Sequence, residues 1–401
     1  MRTRVSSLLI VPILLAVFQA PALGVSFANP AEPAFGKTHF ELVLPEIGFG
    51  LSNNLLNLAS LNADLTDPAA KEEFLGRMEG GVYKLNTEAH VEAGLTIGRL
   101  GLHLRPWGSG TSYLAPGIPE VIFEGIDINR LYELQGSKIN SMAALAADLS
   151  YARPFKLTKS SSLGIGVDFH YLMGLGLLDL VVSDGELSVD EYGNMTYSTD
   201  VATHYVYIPV GEGFSPEDFQ FVGQGYLVDV GLIYQREKTK LGLAVKNIGP
   251  GITWTGVTSQ TATVSGEITA GPNGPQAPEP DYQLTDPEIT TYTPSIPMVV
   301  QASLSYQVFK GFTLDGGVSM GLADGWGVSS TPSYWAGFEW IPLGVIRLGG
   351  TVALQGTQLD YRALAELRLL CLWLTAEAGM TGGFLEEATG AYGALGLRLH
   401  F

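Results

Sequence analysis

Apolar and polar residues alternate one by one along most of this chain, and the pattern is clearest at its end. In Gly393, Leu395, Leu397, Leu399 and Phe401 every second side chain is small or apolar, whereas Tyr392, Ala394, Gly396, Arg398 and His400 take the other face. A pleated strand sends successive side chains to opposite sides, so this tail has one lipid-compatible face and one polar face. Tyr226, Val228, Val230, Leu232 and Tyr234 repeat the pattern, with a tyrosine at each end of the apolar row as two interfacial aromatic girdles require. The same period runs from Val300 to Val308, Phe312 to Met320, Tyr334 to Trp340 and Ile346 to Leu354. Strands are expected at 38–49, 88–97, 99–105, 141–152, 161–172, 222–235, 239–247, 298–308, 311–321, 332–341, 344–355, 358–369, 371–380 and 390–401. That makes about fourteen; 12 or 16 stay open, because 180–208 also holds strand-like material, read here as a ribbon projecting beyond the membrane.

Short turns alternate with the longer connections 50–87, 106–140, 173–221, 248–297, 322–331 and 381–389, with one short exception near Gly356. Bacterial barrels have even strand numbers, short periplasmic turns and longer external loops. The expected fold is therefore all-β, an antiparallel transmembrane β-barrel of the bacterial outer membrane with both termini periplasmic. Local structure is expected in the loops. Asp67-Pro68 caps a helix over 69–78, and a second short helix within 119–135 places Ile122, Phe123, Ile126 and Leu131 on one side. These four are the candidate ligand-binding residues, as a lid or shelf, against the plainer reading of exposed decoration. Residues 256–297 read as an irregular external loop rich in Thr, Pro and Gly.

The N-terminus agrees with that compartment. Arg2 and Arg4 precede an apolar run from Val5 to Phe18 and a small-residue stretch, the layout of a cleavable signal over 1–24, with the barrel over 25–401. The run is too short for a spanning helix. Hydrophobic residues make up 46% of the chain and 50 of its 401 residues are Gly, yet no later stretch is continuously apolar, as suits a two-faced wall. The single cysteine, Cys371, excludes an internal disulfide. A net charge of −18 leaves no basic footprint for nucleic acid; the acidic loops serve solubility or hold divalent cations.

Mid-strand charges belong inside, because an Arg or Lys facing lipid near the midplane costs about 2–4 kcal/mol. The expected lumenal network contains His39, Glu92, His103, Asp168, Asp229, Lys246, Arg347, Arg362, Arg398 and His400. Imidazoles can ligate metals, but no HxH or HExxH spacing occurs, and hydrogen bonding within a polar lumen is the preferred reading. Neither GxSxG nor a Walker loop is present, so no catalytic residue, metal or cofactor is assigned and no enzyme is expected. Strand glycines such as Gly164 and Gly166 are spaced for close backbone approach.

The segment Leu241-Gly-Leu-Ala-Val-Lys-Asn247-Ile-Gly249-Pro250 resembles the strand-end motif GLAVKNIGP of the FadL-like outer-membrane superfamily, which includes fatty-acid transporters and PorV-like proteins. The resemblance implies a fourteen-stranded barrel, with Asn247 and Gly249-Pro250 ending strand seven. It also implies an N-terminal plug and a wall kink that opens sideways. Only residues 25–37 precede strand one here, so the hatch is expected to be missing or shortened, and Pro45 is the candidate break in the wall. The favoured function is binding or transport of hydrophobic small molecules. The alternatives are a barrel that docks partner proteins and a general diffusion porin. Expected partners are outer-membrane lipids, a hydrophobic ligand, and the barrel-assembly machinery through the strand ending in Phe401.

Overall fold

Backbone groups that cross a bilayer must find their partners inside the protein, and a closed sheet is one of two solutions. A computed structural model describes residues 28–36, 40–57, 76, 83–123, 125–207, 220–271, 274–276 and 279–401. The signal over 1–24, His39 and most of the helix expected over 69–78 lie outside the described residues.

The wall begins with β1 (Phe40–Asn53), β2 (Tyr83–Ile97), β3 (Leu100–Leu114), β4 (Lys138–Lys156) and β5 (Ser161–Val189). It continues through β6 (Gly223–Arg236), β7 (Thr239–Gly271), β8 (Val299–Phe309), β9 (Phe312–Gly321) and β10 (Ser333–Trp340). The last four are β11 (Ile346–Gln355), β12 (Gln358–Leu369), β13 (Leu372–Thr381) and β14 (Gly390–His400). Among the described residues these fourteen strands pair antiparallel in sequence order, and β14 returns to β1 with Leu42 opposite Leu399 and Gly50 opposite Tyr392. Phe40 and Phe401 exchange backbone hydrogen bonds at the seam, and their rings meet edge to face with centroids 5.6 Å apart.

The outer face is apolar. Leu102 is 55% exposed, Leu243 58% and Leu395 68%, far more aliphatic surface than a water-facing wall carries. Tyr171, Tyr226 and Tyr334 lie towards the end with the long connections (the loop end), whereas Phe155, Phe309, Trp340 and Phe401 lie towards the end with the short turns (the turn end). The wall therefore spans a membrane. No helix among the described residues is long and apolar enough to do so.

Three expectations need correction. Beyond the bilayer β5 and β7 run on, and with Met195–Tyr207, Asp281–Leu284 and Glu288–Tyr292 they build a projecting sheet. The stretch 256–297 is thus largely paired, because Thr- and Val-rich segments suit a pleated ladder even without lipid contrast. The segment Asn247–Pro250 does not end strand seven. Asn247 (φ 60°), Gly249 and Gly251 instead give β7 two extra residues against β6, a local bulge. Pro45 makes no opening either: the register shifts there, and β1 stays paired to β2 and β14 on both sides of it. The discontinuity lies elsewhere. Pairing of β7 with β8 stops at Lys246, and the next partner on that edge starts opposite Trp254; between them runs 293–298, held where Asn247 Nδ2 donates to Pro297 O at 3.1 Å.

The helix expected within 119–135 is only Gly117–Phe123. Leu131 starts a short strand, Leu131–Glu133, paired with β5, because the intervening Gly125 and Asn129 take positive φ and stop the helix.

Candidate functional site

The lumen is layered along its axis, and the strand register fixes the layers. At mid-height β2 to β6 aim charged residues inward. Glu92 accepts from His103 Nδ1 at 2.6 Å, and Asp148 pairs with Arg105 at 3.2 Å and with His170 Nδ1 at 2.7 Å. His170 Nε2 lies 3.5 Å from Asp229, which also accepts from the Asn247 backbone N–H at 2.8 Å. Asp168 stands opposite Asp229 in register, and Lys246 lines the same cavity. On the other side Arg347 pairs with Glu339 at 2.6 Å and lies 3.7 Å from Glu366, which Arg368 also binds at 2.7 Å. Arg362 lies 3.8 Å from Glu377, Arg398 pairs with Glu46 at 2.7 Å, and His400 lies 3.6 Å from Glu41. Nine of the ten residues expected in the lumenal network lie on the inner face, where Glu46, opposite Glu92 in register, joins the Arg398 side to the His103 side; His39 lies outside the described residues.

Towards the loop end the inner face turns apolar. Trp107, Met142, Ala144, Leu172, Leu227, Ile252, Trp254 and Ile296 form one buried cluster. The connection 322–332 bends into the barrel and adds Trp326 to it. Its tip is a tight turn with Gly325, Trp326 and Gly327 all at positive φ. The turn is tied by Asp324, which accepts from the Ser330 N–H at 2.8 Å and from its hydroxyl at 2.7 Å; these bonds hold the Asp324 carboxyl below its usual range. In the projecting sheet, Asp179 accepts from the Tyr292 hydroxyl and Tyr292 stacks on His204 at 4.7 Å. Burial first, then the bond to Asp179, push the Tyr292 phenol up.

The feature the sequence pattern misses is the floor. Residues 28–36, with a 3-10 turn at Glu32–Phe35, lie inside the barrel against β5, β6 and β7. Asn29 Nδ2 donates to Leu232 O at 3.3 Å and to Leu243 O at 2.9 Å, and its Oδ1 accepts from the Ala31 N–H at 2.9 Å. Lys240 pairs with Glu32 at 2.6 Å. The seat is made of glycines: a Cβ on Gly166 would lie 2.0 Å from Pro30 O, one on Gly231 2.1 Å from Asn29 Oδ1, and one on Gly164 2.5 Å from the Phe35 ring. Residues 28–36 are thus docked on the inner wall. A cluster of inward glycines on neighbouring strands was the signal that could have found them.

Ala28, Asn29 and Glu32 line two cavities at once. One, of about 430 Å³, lies between the charged layer and Trp107, Leu172, Leu227 and Val328. The other, of about 770 Å³, opens among Gln235, Lys238, Ser305, Asp315 and Glu339 towards the turn end. The 28–36 segment is the partition between them. Ile122, Ile126 and Leu131 are exposed at 64%, 43% and 55% and line neither cavity; Phe123 ends its helix beside them. Among the described residues no group of three or more His, Cys, Asp or Glu is placed to hold a metal ion.

Residues 30–331 match the model of a family of unknown function, DUF5723. No curated protein matches the chain. Among solved structures, the toluene transporter TodX of P. putida is similar at 11% identity, with 93% of each chain covered and a TM-score of 0.45. The monoaromatic hydrocarbon channel CymD is similar at 10% identity, with 95% of this chain and 94% of that one covered and a TM-score of 0.44. A FadL homologue of Pseudomonas aeruginosa shares 10% identity, with 93% and 92% covered and a TM-score of 0.46.

Proposed function

The chain belongs to DUF5723, a family of unknown function, and from the geometry of its lumen we propose that it is an outer-membrane barrel admitting small, largely apolar molecules from the loop end. The observation that carries this reading is the cavity of about 430 Å³, apolar towards the mouth at Trp107, Leu172 and Leu227 and charged below at Glu92, Asp168 and Asp229. Its size falls within the range of small-molecule sites, and its few polar groups on one side would orient a molecule with an apolar body. The loop end faces outward and both termini face the periplasm, a reading supported by the short turns at one end and long connections at the other. Insertion would use the assembly machinery through β14 and Phe401.

A general diffusion pore fits less well, because residues 28–36 and the inturned tip at Trp326 both obstruct the lumen. The test is binding and uptake of a panel of apolar probes by proteoliposomes, with Leu227→Asn as the variant. Leu227 is 2% exposed, and one lost apolar contact in a pocket weakens binding by ~10–200-fold. Probe binding unchanged in that variant, or a large ohmic conductance with no probe binding, would overturn the proposal.

A further inference from the structure

The exposed cations of the turn-end rim crowd onto neighbouring turns, from Arg99 between β2 and β3 round to Lys310 between β8 and β9. On β4 to β8 it exposes Arg153, Lys156, Lys159, Arg236, Lys238 and Lys310, with Glu237 as the acid among them. The turns carrying them are neighbours: Ser161 pairs with Arg236, the Glu237 N–H donates to Ser160 O at 3.2 Å, and Lys238 Nζ donates to Val308 O at 3.0 Å. The turns between β10 and β11 and between β12 and β13 carry no charged side chain, and expose Leu343 at 75% and Leu370 at 100%. A general need for interfacial anchoring would have spread the cations around the ring.

Within the basic sector the outer wall has a cleft of about 380 Å³. Its membrane side is Tyr234, Leu241 and Tyr306, all on the lipid-facing register, and its water side is Arg236, Glu237 and Lys238. Arg236 makes no side-chain hydrogen bond or ion pair among the described residues. An apolar base at acyl-chain depth, two tyrosines at the interface and two cations above them match the order of groups along a phospholipid.

We propose that this cleft is a binding site for an anionic glycerophospholipid of the leaflet at the turn end, with Arg236 and Lys238 on the phosphate and Leu241 under the first acyl carbons. The inference rests on the membrane-spanning wall and not on the lumenal function, so either can fail without the other.

The experiment is native mass spectrometry of the full barrel extracted with its surrounding lipid, comparing wild type with Arg236→Gln and with Arg236→Gln/Lys238→Gln. Each charge removed is expected to lower retained phosphatidylglycerol or cardiolipin ~5-fold, with heat-modifiable gel mobility unchanged. Should the double variant not fold, Arg236→Gln alone and Leu241→Asn replace it. Three outcomes overturn the proposal: equal retention of anionic and zwitterionic lipid, retention unaffected by the variants, or preferential retention of lipopolysaccharide. Displacement of the lipid by soluble glycerol 3-phosphate at matched headgroup concentration also overturns it, by reducing the site to a phosphate pocket.

Discussion

If residues 28–36 are the partition, loosening their seat should join the cavities of about 430 and 770 Å³ into one passage. Two substitutions do this by different physics. Asn29→Ala removes three hydrogen bonds made by a side chain that is only 6% exposed. Two of them, to Leu232 O and Leu243 O, reach the wall; at about 0.5–1.5 kcal/mol each, the docked state loses about 1–3 kcal/mol, and the docked-to-undocked ratio falls ~5- to 150-fold. Gly166→Val keeps Asn29 and its partners but puts a Cβ 2.0 Å from Pro30 O, so the segment cannot sit where it does. Valine suits a strand, and the wall itself should fold. The readouts are planar-bilayer conductance and thiol labelling of A31C in a Cys371→Ser background, since Ala31 is fully buried. Wild type should conduct weakly and protect the A31C thiol; both variants should raise conductance and expose it, Gly166→Val more completely. A Gly166→Val barrel that conducts like wild type with its A31C thiol still protected would refute the reasoning.

Other consequences can be measured separately. Glu366 is 3% exposed and its close partner is Arg368 at 2.7 Å, so Arg368→Ala should destabilise the barrel by about 3–5 kcal/mol, seen as a lower midpoint in denaturant-induced unfolding; an unchanged midpoint would mean the pair is not structural. Trp254 is fully buried in the apolar cluster, and Trp254→Ala should cost about 3–5 kcal/mol in the same assay. Because the Asp324 carboxyl is depressed, its hold on the inturned loop is complete above the ordinary value of 3.8 and fades as pH falls through the lower folded value. Acidification should therefore free Trp326, read by a shift in tryptophan emission that Asp324→Asn lacks. Phe401→Ala removes an edge-to-face contact worth about 0.5–1.5 kcal/mol at the seam and should slow membrane insertion in cells, followed by the rate at which heat-modifiable barrel appears.

The wall was legible because lipid outside and charge inside impose a period of two that few other environments demand. Tyr226 to Tyr234 is readable on sight, and the segment pairs with β5 without a break. Past the bilayer that contrast vanishes: Thr253 to Ile268 has no greasy face, so the continuation of β7 looked like loop although its partners are in place. The charged layer was legible residue by residue, yet which acid meets which base, as in His170 with Asp148 or Arg398 with Glu46, depends on which strands adjoin, which spacing alone does not encode. Residues 28–36 were illegible for a different reason. Pro30, Ala31, Pro33 and Ala34 have no periodic pattern, and their position is written in the glycines of strands more than a hundred residues away.

The twenty residues of β7 from Ile252 to Gly271 have a contour of roughly 60 Å at about 3.3 Å per residue. If the loop end faces outward, as proposed, that arm meets antibodies and proteases well before anything reaches the mouth. Its sequence and that of the strand paired with it, Met195–Tyr207, contain neither lysine nor arginine. Trypsin applied to intact cells should leave the whole arm uncut, whereas an enzyme that cleaves after acidic residues should trim it and spare the cylinder beneath.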